Sequence, residues 1–131
     1  MTTGGLNTMS DIAMLRRPSR GEIWLVTFGA ARKGEIGKTR PALVVSMDHL
    51  QAGRPYDRIT VIPFTTNPRQ QPNPLQPIVS AGGGLAQDSV ALCDAPRAFV
   101  PSRFLRQLGQ VSNETMARIA LSRAIIEGWT A

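Results

Sequence analysis

The sequence of 131 residues contains few of the side chains that most often build metal and redox sites. It has one cysteine, Cys93, and one histidine, His49. A single cysteine cannot form an internal disulfide, and no paired-cysteine, HExxH or carboxylate cluster has the spacing of a metal site. We therefore expect no metal or other cofactor, a reducing compartment, and a surface position for His49.

Long apolar runs are also absent. No stretch approaches the ~20 apolar residues that a membrane-crossing helix needs. The two arginines Arg16 and Arg17 are not followed by an apolar segment of signal-peptide length. These absences predict a cytoplasmic protein that does not enter a membrane. Aromatic residues make up only 5% of the chain, which argues against a surface built mainly for stacking bases.

What the chain does contain is positive charge. Its formal net charge is +6, and most of the cationic residues are arginines, whose planar donor fork fits phosphate oxygens in pairs. This balance favours a polyanionic partner such as a nucleic acid. A basic surface that serves only solubility explains the same charge, so composition leaves both interpretations open.

The order of local patterns predicts a mainly β domain with a C-terminal helix. Residues 1–19 have no sustained period and are expected to form a disordered or loosely packed tail, with the domain over residues 20–131. Apolar and β-branched runs predict short strands at residues 23–28, 41–46, 58–64, 78–80, 89–93 and 98–100. This pattern favours a small, strongly bent antiparallel barrel with a helix packed on it.

The last helix has clear end signals. Ser112 is a good N-cap, Glu114 follows in the first turn, and Gly128 would end the helix. Apolar residues at helical spacing between them predict a core-facing stripe. A second short helix is predicted at residues 101–108, where Ser102 could act as the cap.

Three polar segments stand at the ends of predicted strands. Arg40 precedes Pro41, which biases it toward an extended conformation suited to holding a phosphate. Thr65 and Thr66 follow the third strand, and Asp94 lies in a later turn. Each segment also has a structural explanation. These are a salt bridge on the rim for Arg40, turn chemistry for the threonines, and a bond from Asp94 to Arg97 or to the backbone.

Taken in order, these segments resemble the MazF/PemK (Kid) toxins of bacterial toxin–antitoxin pairs. RGEIW at residues 20–24 resembles the opening strand of that family. GKTRPALVVS at residues 37–46 is similar to its G-x-x-R-P-x-L-V-V motif, and IPFTT at residues 62–66 to the end of its third strand. QDSV at 87–90, DAPR at 94–97, RFL at 103–105 and LG at 108–109 follow in the same order. The resemblance covers nearly all of residues 20–129.

The resemblance implies an SH3-like barrel, of the kind shared with the gyrase poison CcdB, in a homodimer. It implies sequence-selective cleavage of single-stranded RNA without a metal, and a cognate antitoxin whose acidic, disordered tail fills the RNA groove. In the family the Arg of the R-P motif and the first Thr after the third strand carry catalysis, which here are Arg40 and Thr65. Kid-like relatives have an Arg two residues before the acid, where this chain has Leu92.

The remaining candidate residues are expected to bind RNA. They are Glu35, Lys38, Thr39, Thr66, Asn67 and Asp94, whose side chains can bond the base edges and phosphates of a single strand. Glu35 and Asp94 are also the candidates for the general base. Three other functions stay open on the same fold. These are a CcdB-like gyrase poison, an RNA-binding module without catalysis, and a plain interaction domain with a basic surface.

Overall fold

The structure is a computed structural model that describes residues 17–29, 38–48, 58–66 and 73–130. Over these ranges the chain forms seven strands and one α-helix. The strands are β1 (Glu22–Thr27), β2 (Thr39–Val44), β3 (Ile59–Thr65), β4 (Ile78–Val79), β5 (Ser89–Ala91), β6 (Arg97–Phe99) and β7 (Phe104–Gln110), and the helix is α1 (Asn113–Ile126). The mainly β class with a C-terminal helix is therefore confirmed.

The strands pair antiparallel throughout, in the order β4-β5-β3-β2-β1-β7, and β6 pairs with β3. In a flat sheet β6 and β1 would lie about 14 Å apart, three strand spacings. Yet the ring centroids of Phe28, directly after β1, and Phe99, on β6, are only 4.9 Å apart. The sheet is therefore curled into an open barrel, as the sequence predicted.

Alternate residues along the strands separate into two hydrophobic clusters, one on each face of the sheet. The helix-side cluster lies under α1, and the aromatic cluster lies inside the curl of the sheet. The helix-side cluster contains Ile23, Leu43, Ile62, Phe64, Val79, Leu85, Ala91, Cys93 and Ile119. The aromatic cluster contains Trp24, Val26, Phe28, Ala42, Val44, Ile59, Val61, Phe99 and Phe104.

The terminal helix begins and ends at the signals that the sequence contains. The Ser112 hydroxyl accepts a hydrogen bond from the Thr115 amide, a cap worth about 1 kcal/mol. Gly128 follows the helix with a φ of +79°, the left-handed conformation that suits glycine after a helix. Ile119 is buried against the sheet, whereas Leu121 on the opposite face is 56% exposed. The predicted core-facing stripe is confirmed at Ile119 and less regular around it.

The predicted short helix at residues 101–108 is wrong. Pro101–Arg103 forms a single 3-10 turn without a side-chain cap, so Ser102 does not act as a cap. Phe104 then begins β7, which pairs with β1 over seven residues. The local sequence lacks a clear period of two, and pairing with β1 determines its conformation. This strand also raises the count of strands in the described ranges to seven, where six apolar runs were predicted to form strands.

The three consecutive glycines Gly82, Gly83 and Gly84 form an ordered turn. Gly82 and Leu85 exchange backbone hydrogen bonds of 2.9 and 3.1 Å. A Cβ atom on Gly84 would lie 2.5 Å from the carbonyl oxygen of Leu108, and one on Gly109 would lie 2.0 Å from that of Gly83. The turn therefore packs main chain against main chain on β7, a contact that a larger residue would break.

Some predictions fall outside the described residues. These are the tail over residues 1–16, most of the first loop, His49, Glu35 and Asn67. Among the residues that the structure does describe, no helix is long and apolar enough to span a bilayer.

Candidate functional site

The site is organised by the register between β2 and β3. Ala42 pairs with Pro63, Leu43 with Ile62 and Val44 with Val61. The paired residues end at Ala42 and Pro63, and Arg40 and Thr65 lie two residues beyond them, where β2 begins and β3 ends. Residues two apart on a strand point to the same face. Arg40 and Thr65, both half-buried, therefore lie on the face that carries the aromatic cluster.

Lys38, Thr39 and Thr66 lie beside this pair. Lys38 and Thr39 directly precede Arg40, Thr66 follows Thr65, and all three are exposed. Lys38 has a φ of +64°, a conformation that residues other than glycine seldom adopt. Its amide donates to the Gly29 carbonyl at 2.6 Å, which holds this unusual backbone at the entrance to β2. The structure therefore brings five of the predicted residues to one edge.

Asp94 lies on the far side of β3. The strands β5 and β6 follow one edge of β3 in succession, with residues 93–96 bulging out between them. The carboxylate of Asp94 accepts two hydrogen bonds from the Gln76 amide, at 3.1 and 3.2 Å. The alternative of a bond from Asp94 to Arg97 is therefore not what the structure shows. The role of Asp94 toward RNA stays a prediction.

Two arginines that the sequence did not single out contact rings of the aromatic cluster on the same face, Arg97 from β6 and Arg103 from the turn before β7. The guanidinium carbon of Arg97 lies 5.7 Å from the Phe28 ring centroid and 5.2 Å from that of Phe99. Arg103 lies 5.9 Å from the Phe99 centroid and donates to the Thr27 carbonyl at 3.4 Å. Arg97 and Phe99 are two residues apart in β6, and this spacing predicts that they point to the same face of the sheet. Their contact with Phe28 depends on the curl of the sheet.

This arrangement suits the binding and polarisation of a phosphate. A guanidinium is charged at every physiological pH and can bond two oxygens at once. A threonine hydroxyl can both donate and accept a hydrogen bond, so Thr65 can orient a second oxygen or a sugar hydroxyl. In the described ranges no three histidine, cysteine, aspartate or glutamate side chains converge as metal ligands would.

Comparison with known proteins identifies a family whose sequence model matches most of the chain. The sequence model of that family, described as "PemK-like, MazF-like toxin of type II toxin-antitoxin system", matches residues 19–126. A similar curated protein is "Endoribonuclease MazF9" from Mycobacterium tuberculosis. It is 39% identical over 106 residues, which cover 76% of this chain and 87% of the relative.

Solved structures with the same fold include a MazF protein and an endoribonuclease. MazF from Deinococcus radiodurans superposes with a TM-score of 0.70 at 23% identity, covering 86% of this chain and 97% of that one. An endoribonuclease from a mycobacterial species, solved in complex with its cognate antitoxin, has a TM-score of 0.69 at 20% identity and covers 87% and 98%. At these identities the superpositions establish the fold alone.

Proposed function

The chain belongs to the family of PemK-like, MazF-like toxins of type II toxin–antitoxin systems, and on that premise we propose that it is an endoribonuclease that cuts single-stranded RNA at selected sequences. The observation that carries the proposal is the juxtaposition of Arg40 and Thr65 across β2 and β3. A cation and a hydroxyl at the neighbouring ends of two adjacent strands, on one face of the sheet, support the binding of a phosphate of a nucleic acid chain.

In the proposed reaction the RNA supplies its own nucleophile. The 2′-oxygen attacks the adjacent phosphorus, the bond from phosphorus to the 5′-oxygen breaks, and the products are a 2′,3′-cyclic phosphate and a 5′-hydroxyl. The 2′-hydroxyl proton goes to a general base, and the leaving 5′-oxygen takes up a proton. Because no water has to be activated for this step, the reaction is proposed to be independent of metal ions.

The charge that develops on the phosphorus oxygens determines the roles of the two central residues. Arg40 stabilises this charge with its guanidinium, and Thr65 holds the phosphate or the 2′-hydroxyl in line for attack. Glu35 and Asp94 are the candidates for the base. The proposed RNA-binding residues are Glu35, Lys38, Thr39, Thr66, Asn67 and Asp94.

The proposed partners follow from the relatives. Antitoxin complexes are among the similar solved structures, and we extend this to a cognate antitoxin whose acidic tail occupies the RNA-binding edge. A net charge of +6 favours such an acidic partner as it favours RNA. We further propose a homodimer that acts in the cytoplasm.

The test is a digest of a long single-stranded RNA in EDTA with wild type, Arg40→Ala and Thr65→Ala. We expect discrete cuts with 2′,3′-cyclic phosphate ends by wild type, and loss of these cuts in both variants. A DNA strand of the same sequence should stay intact because it has no 2′-hydroxyl. Arg106→Ala, which removes an exposed arginine on β7, is the matched control and should cut like wild type.

Failure of folded wild type to cut, with or without added divalent metal, would contradict the proposal. The remaining functions would then be an RNA-binding module or a CcdB-like gyrase poison. Binding of the same RNA without cleavage would indicate the first, and inhibition of gyrase without RNA binding would indicate the second.

A further inference from the structure

Arg97 is held in place by aromatic rings rather than by an acid. Its guanidinium carbon lies 5.7 Å from the centroid of Phe28 and 5.2 Å from that of Phe99. Within the part of the chain that the structure describes, Arg97 has no carboxylate partner, and the acid nearest in sequence, Asp94, is bonded to Gln76. A guanidinium stacked on ring faces keeps its N–H donors free in its own plane.

Phe28 contacts Arg97 and is a diagonal neighbour of Arg40 in the sheet. Arg40 pairs with Val26 across β1 and β2, and Phe28 lies two residues beyond Val26 on the same face, in the same aromatic cluster. Diagonal neighbours of this kind are about 7–8 Å apart, which long and aromatic side chains can bridge. Both arginines therefore have Phe28 as a neighbour, Arg97 by ring contact and Arg40 by its position in the sheet.

Like charges around one ring repel each other, and Arg103 adds a third cation over Phe99 at 5.9 Å. Attraction between each guanidinium and the ring faces offsets part of this repulsion. A polyanion that spans these arginines would neutralise them together and release counterions. A chain of phosphates supplies negative charge at regular intervals, which a single carboxylate does not.

We infer that Arg97 binds a phosphate of the RNA next to the one at Arg40. The inference rests on the proposed function, because it adds a second phosphate subsite to that RNA site. Arg97 then anchors the strand on one side of the cut while Arg40 acts at the reacting phosphate. It is a binding residue, and its loss should weaken RNA association more than it slows the chemical step.

The experiment compares Arg97→Gln with Arg106→Gln, a matched control whose arginine is exposed on β7 opposite Leu25, outside the aromatic cluster. We expect KM for a short RNA substrate to rise about tenfold in Arg97→Gln, the effect of losing one charged hydrogen-bonded contact. kcat should stay within about twofold, and Arg106→Gln should match wild type.

Two further measurements identify the phosphate. The salt dependence of binding to a non-cleavable 2′-O-methyl RNA should lose about one unit of slope in Arg97→Gln. Replacing single phosphates of the substrate with neutral methylphosphonates should identify one linkage whose neutralisation raises KM for wild type and has no added effect in Arg97→Gln. Arg97→Lys, which keeps the charge and loses the fork, should retain most of the salt slope. It also provides the comparison if Arg97→Gln does not fold.

The outcomes separate this inference from the proposed function. If wild type does not cleave RNA, the proposed function fails, and the inference fails with it. If wild type cleaves RNA and Arg97→Gln has the KM and the salt slope of wild type, only the inference is overturned. This conclusion holds even if the affinity of Arg97→Gln for the acidic antitoxin falls. A lower kcat with unchanged KM would also overturn it, because that result indicates a structural role.

Discussion

The two faces of the curled sheet are closed in different ways. The helix-side face is covered by α1, with Ile119 buried against it, and its cluster consists of apolar residues and the buried thiol of Cys93. In the described ranges no helix covers the aromatic face, where Arg97 lies over Phe28 and Phe99 and Arg103 lies over Phe99. The same strands contribute alternate residues to both faces.

This difference separates stability from activity within the same strands. Residues that lie under α1 on the helix side can only pack, because the helix excludes solvent and ligands from them. Residues on the other face can pack in the middle of the barrel and bind at its open end, as the step from Val44 to Arg40 along β2 illustrates. We therefore expect substitutions on the two faces to change different measured quantities.

The largest expected effect is on the open side. Arg40→Ala should lower kcat for RNA cleavage on the order of 100- to 1000-fold, because it removes a donor that acts most strongly as charge develops. Single-turnover cleavage of a short RNA measures this effect, and denaturant unfolding checks that the variant is folded. A loss confined to stability, with kcat intact, would contradict the division between the faces.

Ile119→Ala tests the helix side. Removing a fully buried isoleucine leaves a cavity under α1 and should lower the free energy of unfolding by about 3 kcal/mol. Leu121→Ala, on the exposed face of the same helix, should change it by less than about 1 kcal/mol. Urea unfolding compares the two. The cleavage rate of the folded fraction should stay the same in both, and equal losses of stability would show that α1 does not close this face.

A smaller effect is expected at the glycine turn. Gly84 has a φ of +106°, and a Cβ there would lie 2.5 Å from the Leu108 carbonyl oxygen, so Gly84→Ala should cost about 2 kcal/mol of unfolding free energy. Gly82 is a matched control, since its φ is +118° but no atom lies within 4 Å of a Cβ. Gly82→Ala should cost less, and the difference in thermal midpoints measures the contact between the turn and β7.

The pH dependence of the unfolding free energy tests whether Cys93 is buried on the helix side. Burial raises the pKa of its thiol from 9.0 to about 11, so the folded protein keeps a proton that the unfolded chain loses. The contribution of this thiol to the free energy of unfolding is present in full below pH 9 and falls as the pH rises from 9 toward 11. Unfolding free energies over this pH window should fall more steeply for wild type than for Cys93→Ala. Parallel pH profiles would indicate that the thiol is accessible to water.

Several features of the fold followed from local sequence. Ser112 and Gly128 marked the ends of α1 because capping depends on a few neighbouring atoms. The apolar runs located six strands because buried strands need such runs wherever they pair. β7 was mistaken for a helix because its conformation depends on hydrogen bonds to β1, far away in the sequence. Glu35 and Asn67 were named from sequence, and they lie outside the described residues.

The sequence by itself determined six of the seven described strands and the terminal helix, the cationic character, and the presence of Arg40 and Thr65 at the ends of two strands. Each of these depends on residue type and short-range spacing. Only the tertiary structure decided that Asp94 bonds to Gln76 and that Arg97 lies over Phe28, a residue that directly follows a strand three positions away in the sheet. Contacts of this kind require the sheet to curl, and the curl depends on the pairing and packing of strands that are far apart in the sequence.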